Sequence, residues 1–208
     1  YLYKNDYSIV SAVGIVENDL ELDLNEIISL NGEAIYYFDG STTINQNVGA
    51  YTISMGGLNG EAENYVIGDI SYNTASLVIS EAELVVSSKG YKGIYDGIGH
   101  SGEVSAKTKG NMQAIVYYSN VSIEDAKTKK NSKEIIIKNV GVNKIYYYVE
   151  AANHKGYEGT FTIEISKASL SISVAATDYE ETYSGNVKYN GSYKIKSVVG
   201  LLGSDTVE

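Results

Sequence analysis

Apolar and polar residues alternate along much of the chain. Asp19-Leu20-Glu21-Leu22-Asp23-Leu24-Asn25, Thr160-Phe161-Thr162-Ile163-Glu164-Ile165-Ser166 and Ser169-Leu170-Ser171-Ile172-Ser173-Val174 all repeat with a period of two. That spacing puts one side of a strand in a core and the other in water. Between the apolar runs stand Asn31-Gly32, Asp39-Gly40, Asn59-Gly60, Asp96-Gly97 and Asn190-Gly191, pairs that suit tight hairpins because their central residues tolerate positive φ. No segment keeps helical spacing over about 11 residues. Ser122–Lys127 suits one helical turn, and Lys127-Thr128-Lys129-Lys130-Asn131-Ser132 reads as an exposed loop. The expected class is all-β, with antiparallel strands in sandwiches.

The chain also resembles itself. Ile79-Ser80-Glu81-Ala82-Glu83-Leu84-Val85-Val86 returns 86 residues later as Ile165-Ser166-Lys167-Ala168-Ser169-Leu170-Ser171-Ile172. Such a period is the size of one small β domain. At a distance of 186 residues, Tyr3, Tyr7, Ile9, Ser11, Val13, Gly14 and Asp19 return as Tyr189, Tyr193, Ile195, Ser197, Val199, Gly200 and Asp205 without a gap. These matches predict a first unit over 1–81 that lacks its opening strand, a complete unit over 82–167, and the N-terminal part of a third over 168–208.

Asn47-Val48-Gly49-Ala50-Tyr51-Thr52-Ile53 has the form of the turn that precedes a late strand in immunoglobulin-type sandwiches. There a tyrosine two residues before a buried position hydrogen-bonds back to the corner. Tyr51 and Ile53 fit that pair, with Asn47 and Gly49 shaping the turn. The second unit keeps Asn139 and Gly141 in Asn139-Val140-Gly141-Val142-Asn143 but has Asn143 at the tyrosine position. With Asn64-Tyr65-Val66-Ile67, Leu77-Val78-Ile79, Lys167-Ala168-Ser169-Leu170 and Tyr95-Asp96-Gly97, these segments resemble the bacterial Ig-like surface repeats of the MBG and YDG type over nearly the whole chain. Tyr183-Ser184-Gly185 departs from the Tyr-Asp-Gly pattern, and the proline usual near it is absent. The resemblance implies tandem Ig-like sandwiches, the first and third incomplete, in secreted or surface-attached, adhesin-like bacterial proteins. It carries over no catalytic residue.

Charge and composition narrow the chemistry. Sixteen basic side chains against 26 acidic ones give a formal charge of −10. This disfavours nucleic acid and anionic membrane, which bind clustered cations. Without cysteine, disulfides, thiolate metal sites and a Cys nucleophile are excluded. Tyr1 opens the chain without an initiating methionine or leader pattern, so it reads as the interior of a longer protein. His100 and His154, 54 residues apart in loop-like sequence, read as exposed loop residues and not as a catalytic pair. Glu17, Asn18, Asp19, Asp23 and Glu26 form an acidic patch without the spacing of a calcium loop, so it reads as a solvated face. No cofactor, metal or catalytic set is expected.

Tyrosine is the unusual component, with 20 residues. In Tyr36-Tyr37-Phe38, Tyr117-Tyr118 and Tyr146-Tyr147-Tyr148, neighbours on a strand point to opposite faces, which makes Tyr37, Tyr118, Tyr146 and Tyr148 candidates for an outward, ligand-gripping set. The resemblance also suggests an isopeptide crosslink, with Lys89 or Lys92 and Asn153 as the place to look. The leading expectation is a non-catalytic stalk or spacer in an extracellular or cell-surface bacterial protein, alongside further repeats of the same chain. The alternative is an adhesion module binding a host or cell-surface glycan or protein through tyrosines.

Overall fold

Strands form where β-branched and aromatic residues alternate with small or polar ones, a composition that fits a pleated, half-buried surface. The computed structural model describes residues 7–186 and 191–206. It is 45% strand and 9% helix, which places the chain in the all-β class. Contacts divide it into two compact units, 1–81 and 82–208. The matches at Tyr3 and Tyr189 and the pair Asn190-Gly191 involve positions outside the described residues.

The first unit holds a three-stranded antiparallel sheet in the order β1 (Ile28–Phe38), β2 (Gly49–Ala62), β3 (Ala75–Ile79). Asp39 and Gly40, both at positive φ, close a two-residue turn in which Phe38 and Ser41 bond each other, as the Asp-Gly pair predicts. Asn31-Gly32 and Asn59-Gly60 are not turns. They lie inside β1 and β2, where Asn31 pairs with Asn59, and the register shifts between Gly32 and Ile35. Gly32 at φ +93 faces Gly57 at φ +84, and a Cβ on Gly32 would lie 2.7 Å from the Gly57 carbonyl oxygen. The glycines serve a bulge, which needs unusual φ as much as a hairpin does.

The alternating stretch 19–25 is not a strand. It is a 3-10 turn at Glu17–Asp19 followed by a short helix, α1 (Leu24–Ile27). The Asp23 side chain accepts from the Asn25 N–H at 2.8 Å. Asp and Asn here offer the backbone a local hydrogen bond that competes with a ladder, and period-two hydrophobicity does not register that competition.

The second unit is sandwich-like. One layer is the ribbon of β4 (Val85–Lys89) and β6 (Glu103–Lys107). The other is a four-stranded sheet in the order β5 (Tyr91–Ile94), β9 (Tyr157–Ser166), β8 (Gly141–Ala151), β7 (Ala114–Ser119). β5 and β9 run parallel; the other pairs are antiparallel. Leu84, Tyr118, Ile145, Tyr147, Val149, Phe161, Ile163 and Ile165 make the core, with Val86, Val104 and Ala106 of the ribbon packed against it. Ile145, Val149 and Ile163 are 0% exposed. Each such side chain contributes about 1.5–3 kcal/mol.

Of the segment Lys127–Ser132 expected to be an exposed loop, Lys127, Thr128 and Lys129 are instead the last residues of a helix, α2 (Ile123–Lys129), while Lys130, Asn131 and Ser132 lie beyond it and are exposed. The Ser122 hydroxyl accepts from the Asp125 N–H, and acidic residues open the helix while lysines end it, an order that complements the helix dipole. The remaining pair is β10 (Ser171–Ala176) with β11 (Tyr193–Val199), antiparallel, grouped with the rest of 82–208.

Candidate functional site

The tyrosine runs sort by register. Tyr117 pairs with Tyr148, and Tyr118 with Tyr147, so each pair shares a face. Tyr118 and Tyr147 point inward, 7% and 3% exposed, and both pack against Phe161. Tyr118 is therefore a core residue; among the pair expected to split, Tyr117 takes the outer face. Burial, and secondarily the charge of Glu134, push the Tyr118 hydroxyl up from its ordinary pKa. Tyr146 and Tyr148 lie half-buried on the outer face, beside Tyr117, which is itself buried there at 8% exposed. Tyr37 lies half-buried in the first unit, on the face of β1 that pairs with Ser54.

α2 lies across the β7 and β8 part of the outer face. Ala126, 0% exposed, lies between the helix and the sheet. Lys127 and Lys130 sit 5.7 and 5.4 Å from the ring centres of Tyr148 and Tyr117. The Tyr117 hydroxyl donates to Glu150 at 2.8 Å, and Lys130 Nζ donates to both Glu150 oxygens at 3.0 and 2.9 Å. Lys127 pairs with Glu158, and Lys129 with Asp125 at 2.6 Å. Ser119 donates to Asp125 at 2.8 Å.

The charges follow from these bonds. Lys130, then Tyr117, hold Glu150 below the usual carboxylate range. Lys129, then Ser119, do the same for Asp125. The bond to Glu150, then burial, raises Tyr117, while Glu150 and Glu158 raise Lys130 and Lys127. Hydroxyls, ammonium groups and carboxylates here are thus engaged with one another. Tyr146 differs: the cation beside its ring, 5.1 Å from the centre, is Lys144 of its own strand, not a lysine of α2.

The corner residues form a second set. The Tyr51 hydroxyl donates to the Asn47 carbonyl at 2.7 Å, and Ile53 is 6% exposed. A Cβ on Gly49 would lie 3.2 Å from that hydroxyl, so glycine leaves the ring its room. In the second unit Gly141 takes φ +150 beside Asn143.

Neither histidine is an exposed loop residue. His154 is 7% exposed; its Nδ1 donates to the Ala152 carbonyl at 2.7 Å and its Nε2 accepts from the Lys109 N–H at 2.9 Å. That is the neutral tautomer, used as a peg. The first unit has a peg of the same form: the Tyr65 hydroxyl accepts from Val16 N–H at 3.2 Å and donates to Asp19 at 2.6 Å. Both pegs follow an asparagine, Asn64 and Asn153; Tyr65 meets the residue that caps a 3-10 turn, while His154 meets the first residue of a tight turn in which Gly110 and Asn111 take positive φ. The signal was present in the sequence as Asn-Tyr and Asn-His, but the shared hydrogen-bond role hid behind different side chains. His100 stacks on Tyr91 with ring centres 3.8 Å apart and bonds Asp96 at 3.0 Å.

The acidic patch is used locally, Asp19 by Tyr65 and Asp23 by Asn25. Among the described residues, no three His, Asp or Glu side chains are grouped to hold a metal ion, and no helix is long and apolar enough to cross a membrane. Lys92 pairs with Glu164 at 2.9 Å, while Asn153 sits at a turn where its carbonyl accepts from Ala82. No protein-family model matches the chain, and no curated protein is significantly similar to it.

Proposed function

We propose that the chain is a run of tandem Ig-like β-sandwich repeats of the MBG/YDG kind, serving as a non-catalytic stalk or spacer in an extracellular or cell-surface, adhesin-like bacterial protein. The observation that carries this reading is the repeated peg. Tyr65 and His154 each follow an asparagine and each receive a backbone amide at the head of a tight turn. A binding or catalytic site needs polar groups left for a ligand; the outer tyrosine face spends them on α2.

Protease shaving of intact producing cells tests the location: release of peptides from this chain is expected, and their retention in the cell interior overturns the surface assignment. Glycan and host-protein arrays test the role. The spacer reading expects no saturable binding. Saturable binding that disappears on Tyr146→Ala, the outer tyrosine that no α2 lysine overlies, replaces it with the adhesion-module reading.

A further inference from the structure

The outer face of the second unit carries two stations of one design, each a tyrosine ring with a carboxylate of the neighbouring strand and an ammonium group held between them. Lys130 Nζ lies 5.4 Å from the Tyr117 ring centre and bonds both oxygens of Glu150 at 3.0 and 2.9 Å. Lys127 Nζ lies 5.7 Å from the Tyr148 ring centre and pairs with Glu158, the residue that Tyr148 meets across the β8–β9 ladder. Tyr117 and Tyr148 are ladder partners in turn, so the stations are adjacent. An aromatic face attracts a cation through its quadrupole, and the carboxylate beside it accepts a charge-assisted hydrogen bond. Both interactions are made to the ammonium group and not to the rest of the lysine.

The helix that supplies these ammonium groups is lightly held. α2 has 7 residues, fewer than a helix needs to persist alone in water. Its one buried residue is Ala126, whose methyl group contributes little apolar contact. Lys130 caps it at φ +47 and ψ +45, a left-handed conformation that a lysine keeps only where its surroundings hold it. Both ends are fastened to β7: Ser119 Oγ accepts from the Val121 N–H at 3.0 Å, and the Asn131 carbonyl accepts from the Tyr118 N–H at 2.8 Å. The ion pairs that reach β8 and β9 are those of the two lysines. Release of two ammonium groups therefore lets α2 tilt about β7 while the core beneath stays packed.

We propose that this face is a polyamine site that α2 keeps filled with its own lysines, and that a linear polyamine takes their place, one ammonium group on Tyr117 with Glu150 and the next on Tyr148 with Glu158. Directly opposed residues on paired strands have Cβ atoms about 4.5–5.5 Å apart, which puts the two stations within reach of amines joined by a short methylene chain. A thin chain also suits the opening, because the fastenings to β7 limit how far α2 lifts. The formal charge of −10 gathers polycations near the surface, and the paired stations select among them. This site goes beyond the spacer reading and does not rest on it.

Removing the tethered lysines supplies the test. In the Lys127→Ala, Lys130→Ala double variant, spermidine is expected to bind saturably, read as shifts of the Tyr117 and Tyr148 ring protons. Its affinity should be at least about tenfold above that of the unsubstituted chain, where the lysines compete at an effective concentration on the order of millimolar. Adding Glu150→Gln should weaken that binding by about tenfold, the scale of one hydrogen bond to a charged group. Magnesium chloride at equal charge concentration should leave both rings unshifted. If the double variant does not fold, the unsubstituted chain carries the test: spermidine should quicken amide exchange at Ala126, whose N–H bonds Ser122, beyond the rate in magnesium at the same charge concentration, with Ile163 protected in both. Ring shifts shared with magnesium, binding that survives Glu150→Gln unchanged, no gain in affinity on deleting the two lysines, or equal Ala126 exchange in the two salts overturns the proposal.

Discussion

Gly159 is where a methyl group has no space: its Cβ would lie 2.2 Å from Cζ and Oη of Tyr147, a core ring 3% exposed. Gly159→Ala is expected to cost about 1–3 kcal/mol, the usual range for overpacking, read as a lower midpoint in urea with unchanged slope. Combining it with Tyr147→Leu should cost less than the sum, since one clash accounts for both effects. His154 stabilises by a different route. Removing its ring leaves the Lys109 N–H without its acceptor at a part-buried place, so His154→Ala should cost about 1–3 kcal/mol in the same unfolding assay.

At the scale of elements, α2 depends on its cap and on ionised carboxylates. Ser122→Ala should destabilise it by about 1 kcal/mol, seen as faster amide exchange at Ala126, whose N–H bonds Ser122. Glu150 and Asp125 are depressed in the folded state. Their contribution is present above the unfolded carboxylate values of about 4 and fades as pH falls through the lower folded ones. Exchange at Ala126 should therefore accelerate below about pH 4, before the core amide of Ile163 responds. Much of this layer was legible beforehand: the strands around Phe161 and Ile163 show as alternation because one side is buried and the other wet. The stretch 19–25 shows the same alternation yet coils, since Asp23 bonds its own backbone. Tyr117 and Tyr118 could not be assigned to faces from sequence, because a strand's alternation fixes that two neighbours differ but not which one is inside. That choice is made by pairing with Tyr148 and Tyr147.

At the scale of the molecule, the ribbon of β10 and β11 is tied back to the second unit by the Tyr95 hydroxyl on Asp205 and by Gly97 facing Gly203. The bond raises the Tyr95 hydroxyl above its ordinary value. Asp205→Ala should loosen the ribbon alone: exchange at Val174 and Ile195 quickens while Ile145 and Ile163 keep their protection. Equal loosening everywhere would mean that the tie is not local. The long-range match of Asp19 with Asp205 was legible in the sequence, but the tyrosines that meet them, Tyr65 and Tyr95, were not, because no spacing rule links an acceptor to a donor in another segment. The parallel pairing of β5 with β9 has a mechanical consequence. Tyr91 to Ile94 lie beside Ile163 to Ser166 in the same direction, and the Tyr95 N–H adds a bond to Ser166. Tension that draws residues before β5 away from residues after β9 slides the two strands along each other and loads these bonds together, where an antiparallel pair pulled from one end would unzip singly. Since forced rupture is governed by the unfolding barrier, this seam should yield late and abruptly when the second unit is stretched.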